Sequence, residues 1–77
     1  MAPEERQMTA EEWVERFAEE LGAEPPGEAE FAQILELAAE AAHSSERTAA
    51  PVACWMAGRM GRPLGELLEV AARTSED

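Results

Sequence analysis

The sequence holds no lysine, a single cysteine and a single histidine, and nowhere does it offer an unbroken apolar run near the ~18 residues of a membrane-spanning helix. One Cys excludes an internal disulfide, so the fold must be held by packing alone. The basic residues are six arginines against 17 acids, a formal net charge of -11. So little positive charge excludes the clustered cations that bind phosphate backbones or anionic membrane surfaces, and neither nucleic acid nor a membrane is expected as a partner. No phosphate-loop, dinucleotide-binding or metalloprotease motif occurs, and no paired acid, base and nucleophile is recognisable. No enzyme is expected and no cofactor is implied. There is no basic start followed by an apolar stretch, which points to a cytoplasmic location.

What is present is helical. No stretch alternates apolar and polar residues as a half-buried strand would. TAEEWVERFAEELG carries both ends of a helix: Thr9 and Glu12 have the capping-box spacing, and Gly22 supplies a left-handed stop. Trp13, Phe17 and Leu21 share one stripe, opposite Glu12, Glu15 and Glu19, and read as its core-facing side. Pro25, Pro26 and Gly27 then break the chain. A second helix is predicted from about Glu28 to His43, with Phe31, Ile34, Leu35, Ala38, Ala41 and Ala42 recurring every three or four residues. Ser44, Ser45 or Thr48 can cap a third helix over roughly residues 50–60, with Pro51 in its first turn. A fourth begins at Pro63 and turns Leu64, Leu67, Leu68 and Ala71 inward. The expected fold is all-α, a compact bundle of four short helices: a disordered segment 1–8, one helical domain 9–73, and a polar tail 74–77.

A chain of 77 residues is near the lower limit for a self-sufficient core, and 16 of its residues are Ala, which favours helix but adds little apolar area. Cores of this size net only ~3–5 kcal/mol, and oligomerisation often supplies the rest. Charge is divided unevenly. Residues 1–46 hold 13 acids and two Arg, whereas residues 47–77 hold four of each. All of the excess negative charge therefore lies in the first part, and the third helix is neutral from Val52 to Gly58. Its Val52, Met56 and Met60 form one side, extended by Trp55. Cys54, Ala57 and Gly58 form the other. A helix apolar all round is expected to be buried all round, and the small-residue side, with Trp55, is the expected interface with a protein partner or a second copy of the chain.

Two clusters invite a chemical reading. Glu36, Glu40 and His43 include the Glu-x-x-His spacing of helical metal sites, but they lie opposite the apolar face, so no metal is expected; an imidazolium in the last turn instead suits the helix dipole. Arg59 and Arg62 stand beside the start of the fourth helix, where free N–H groups and two guanidinium groups could accept a small anion. That corner is the alternative to an interaction surface. Cys54 reads as a small buried hydrophobe.

EEWVERFAEELG near the start and AAHSSERTAAP followed by an apolar stretch with Gly resemble a short helical domain of unknown function of actinobacteria, found alone or beside molybdopterin-guanine dinucleotide biosynthesis proteins. The matching positions include Trp13, Leu21, Gly22, His43, Glu46, Arg47, Pro51 and Gly58. The resemblance implies a non-catalytic cytosolic accessory module linked to molybdenum cofactor biosynthesis, with His43, Glu46, Arg47 and Pro51 as the motif cluster. The CWM run and GRMGRP depart from the family pattern.

Overall fold

The computed structural model describes residues 8–76, and it is an all-α bundle of four short helices: α1 (Ala10–Leu21), α2 (Glu28–Ser44), α3 (Ala49–Met60) and α4 (Leu64–Ser75). The segment expected to be disordered, residues 1–8, lies outside the described residues apart from an exposed Met8.

Both ends of α1 are built as its residues dictate. Thr9 Oγ1 accepts from the Glu12 N–H at 3.1 Å while Glu12 Oε1 accepts from the Thr9 N–H at 3.0 Å, so two free donors of the first turn are answered reciprocally. At the other end Gly22 turns left-handed at φ 71°. Its N–H donates to the Glu19 carbonyl and that of Ala23 to the Ala18 carbonyl, the double bond pattern that closes a helix on a glycine. The α2 start has half of this arrangement. Glu30 Oε1 accepts from the Gly27 N–H at 3.2 Å, but glycine has no side chain with which to reply.

The 17-residue α2, about 25 Å long, is the spine. Both α3 and α4 pack along it. The chain turns back after Ser45, so α3 runs antiparallel to α2. Then α4 returns in the direction of α2: its first turn lies near Glu30 and Ile34, and its Ser75 Oγ accepts from Ser44 Oγ at 2.7 Å at the far end. The helix α4 runs through Ser75, two residues into the stretch expected to be a polar tail. The connection into α3 also differs from expectation. No side chain caps it; the Glu46 and Arg47 carbonyls accept from Ala49 and Ala50 instead. Pro51 follows where a missing N–H costs nothing.

The interior is thin. Only Ala18 and Leu37 fall to 6% exposure among the described residues, and the α4 residues Leu64, Leu67, Leu68 and Ala71 are half-buried, on the inward side as expected. The bundle is elongated, 47 × 29 × 18 Å. Two expectations about large side chains fail. Trp13, Phe17 and Leu21 are exposed rather than core, because α1 does not pack closely along any other helix; between its Val14 and the Phe31, Ala32 and Leu35 of α2 lies an open groove of about 480 Å³. Nor is α3 buried all round. Its inward side is Ala50, Ala53, Cys54 and Ala57, all half-buried, and its outer side stands in solvent.

Candidate functional site

The outer side of α3 is where chemistry and exposure meet. Val52, Trp55, Met56 and Met60 are each 56–63% exposed. Their spacing puts Val52, Met56 and Met60 in one row of i, i+4, i+8 positions, with Trp55 beside it. Arg59 lies within this surface, its guanidinium 4.8 Å from the Trp55 ring centroid. A cation over the face of an indole at one helical turn's separation is held by the ring quadrupole, a contribution of about 0.5–1 kcal/mol at an exposed site, and it leaves the other ring face free.

A second apolar row stands on α1. Trp13 and Phe17 stack at 5.0 Å between ring centroids, tilted by 32°, and Leu21 continues the row by one more turn. Met8 borders the Trp13–Phe17 pair, and Arg16 and Glu20 flank it. The amphipathicity of this row is legible in the sequence; that the row faces solvent rather than the core is not.

The other residues singled out from the sequence fall as follows. Cys54 and Ala57, expected on an open interface, face α2, and the Cys54 thiol donates weakly to the Ile34 carbonyl at 3.9 Å. The physical reason is closeness: small side chains let α3 approach the spine, so this side is half-covered within one chain, and Cys54, Ala57 and Gly58 border an open groove of about 730 Å³ with Ile34 and Leu64. Burial pushes the Cys54 thiol above its ordinary pKa, which keeps it protonated and a poor nucleophile. Gly58 is exposed, and space beside it is empty. Trp55 alone of the expected interface set is both large and open.

The arginine corner is engaged from within. Arg62 Nε donates to Glu66 Oε1 at 3.1 Å across an exposed i, i+4 pair, so a carboxylate of the chain competes there with any external anion, and Arg59 is turned onto Trp55. His43, Glu46, Arg47 and Pro51 are all exposed; the contribution of Glu46 and Arg47 to the connection is through their carbonyls. Glu40 Oε2 lies 3.4 Å from Ser44 Oγ, and among the described residues no three His, Cys, Asp or Glu converge as a metal site would require. No helix among them is long and apolar enough to cross a membrane.

No curated protein and no solved structure matches this chain. The family described as a domain of unknown function (DUF6457) matches residues 5–76, nearly the whole sequence, and the chain therefore belongs to that family.

Proposed function

We propose that the chain is a non-catalytic interaction module of the cytosol, acting by presenting apolar helix faces to another protein surface, and that its setting is molybdenum cofactor assembly. The observation that carries the interaction reading is the exposure of Trp13, Phe17 and Leu21 on α1 and of Val52, Trp55, Met56 and Met60 on α3. Single exposed apolar residues are ordinary, but contiguous patches beyond a few hundred Å² on a small chain mark surfaces used for contact, and Trp and Met are enriched in the centres of such contacts. The molybdenum setting is supported by the sequence resemblance alone.

The test uses the purified chain and a purified molybdopterin-guanine dinucleotide biosynthesis protein from the same genome. Saturable binding by titration calorimetry, weakened at least tenfold by Trp55→Ala, is the expected result. An absence of binding would remove the molybdenum setting. The rival reading, a small-anion site at Arg59 and Arg62, is weakened by the Glu66 and Trp55 contacts; titration with phosphate, nucleotides and pterins checks it, and a saturable response lost in Arg62→Ala would reinstate it.

A further inference from the structure

We infer that the occupant of these faces is a second copy of the chain, and that the contact is an exchange: the α1 row of each copy docks on the α3 row of the other across a two-fold axis. This rests on the interaction reading above and names its partner. Three observations carry it.

The first is shape. Trp13, Phe17 and Leu21 on α1 and Val52, Met56 and Met60 on α3 are both i, i+4, i+8 rows, each about 12 Å long at the rise of a helix. Ridges of this kind interdigitate in the commonest class of helix packing. In one chain the two rows do not cover each other, since both remain open.

The second is charge. The α1 segment Ala10–Leu21 holds five Glu and Arg16, a net of −4, of which Glu20 and Arg16 flank the apolar row and Glu12, Glu15 and Glu19 lie behind it, while residues 47–62 hold three Arg and no acid, a net of +3, with Arg59 inside the α3 row. A contact of α1 with its own image would bring −8 together, and one of α3 with its image would bring arginines together. Of these three pairings, the α1-to-α3 exchange alone sets segments of opposite net charge against each other, and complementary potentials of this sort favour one pairing over another. An isologous contact permits it, because residue i of one copy meets residue j of the other and the reverse holds across the axis.

The third is area. Eight large side chains at roughly half exposure, the α1 and α3 residues with Met8, leave on the order of 1,000 Å² open per chain. Covering most of that on two copies removes about 1,500–2,000 Å² in total, the size of a stable, specific interface.

The experiment is light scattering after size exclusion of the full chain at tens of micromolar and physiological salt. The expected mass is twice the 8.4 kDa of one chain. Phe17→Glu and Trp55→Glu each place a charge on one row and should give single chains, with helical circular dichroism unchanged because both positions are exposed in the monomer; Leu21→Glu replaces Phe17→Glu if that variant loses helix. Mixing the two variants then restores one undamaged α1-to-α3 contact, so the mixture should associate at least tenfold more tightly than either variant alone. A wild-type mass of one chain, a dimer retained by either variant, or a mixture no tighter than its components would overturn the exchange, and so would assemblies that grow with concentration, since those require an open contact. A monomer that nevertheless binds the biosynthesis protein through Trp55 overturns this inference and leaves the interaction reading standing.

Discussion

Leu35 and Leu37 stand two positions apart on α2, carry the same side chain, and differ in one respect: Leu37 is 6% exposed and Leu35 58%. Replacing each by Ala therefore isolates burial, because the helix-propensity change is the same in both. For Leu37 the loss combines transfer of the removed atoms to water with the cavity left behind, together about 2–5 kcal/mol. For Leu35 less than half of the side chain is out of water, so the loss is about 1 kcal/mol or less, scaled from the ~1.5–3 kcal/mol of full burial. Against a total stability of ~3–5 kcal/mol for a core this small, Leu37→Ala should leave a large unfolded fraction in buffer while Leu35→Ala remains folded. Urea titrations followed by far-UV circular dichroism, at one protein concentration so that association contributes equally, give both values. Sulfate or an excluded osmolyte restores a measurable native baseline where the Leu37 variant needs one. Losses equal within about 0.5 kcal/mol, near the additivity error of such measurements, would refute the identification of Leu37 as the centre of the fold.

Thr9→Ala removes one half of the α1 capping box and should cost about 1 kcal/mol; since α1 does not pack closely along any other helix, the effect should be read in faster amide exchange of α1 with little change in α2, and uniform loss across both would contradict that picture. Gly58→Ala should stabilise by about 0.5–1 kcal/mol, because the added methyl meets nothing within 4 Å and a helix interior favours Ala over Gly; a loss in the urea midpoint would mean that the outer side of α3 is more crowded than it stands. Cys54 supplies a pH dependence. Burial raises its folded-state pKa, so the thiolate is better tolerated in the unfolded chain: the contribution to stability is flat at neutral pH and is lost as pH rises through the ordinary thiol range, near ~8.5 and above. Labelling by a thiol reagent at mildly alkaline pH should be several-fold slower in the native chain than in urea, and equal rates would place the sulfur in open solvent.

The ends of the helices were legible because the residues that make them act locally. Thr9 with Glu12, Gly22 after Leu21, and the Pro25–Pro26–Gly27 break each settle their own backbone groups. The start of α3 was not legible, because Glu46 and Arg47 serve it with carbonyls that every residue possesses. The two sides of α3 could be separated on a helical projection, but the projection does not say which side turns inward. That depends on α2, whose Ala38, Ala41 and Ala42 make a shallow surface. Two shallow surfaces can approach to the lower end of the usual 8–10 Å interaxial distance, so Ala50, Ala53, Cys54 and Ala57 go in and Trp55, Met56 and Met60 come out. The stripe of α1 posed the same problem in another form. A periodic apolar face shows that cover is required, and only tertiary placement shows that Val14 and Ala18, not Trp13 and Phe17, are the α1 residues turned from solvent.

Small residues inside and large ones outside leave an apolar surface, and the distribution of charge bears on which approaches to it are favoured. Copies carrying -11 each repel at distances comparable to the ~10 Å screening length of ordinary salt, and that repulsion acts on every approach, whatever its orientation. An apolar contact of short range prevails only when it is large and when the charges nearest to it do not oppose it. Most orientations of two copies fail the second condition, because the first 46 residues hold all of the excess acid. An approach that lays an acidic helix on the arginine-bearing stretch from Arg47 to Arg62 meets it. The same residues that make α1 too acidic to pair with itself would thus suit it to a surface like α3, and in the proposed exchange both tryptophans would be covered by a partner of opposite charge.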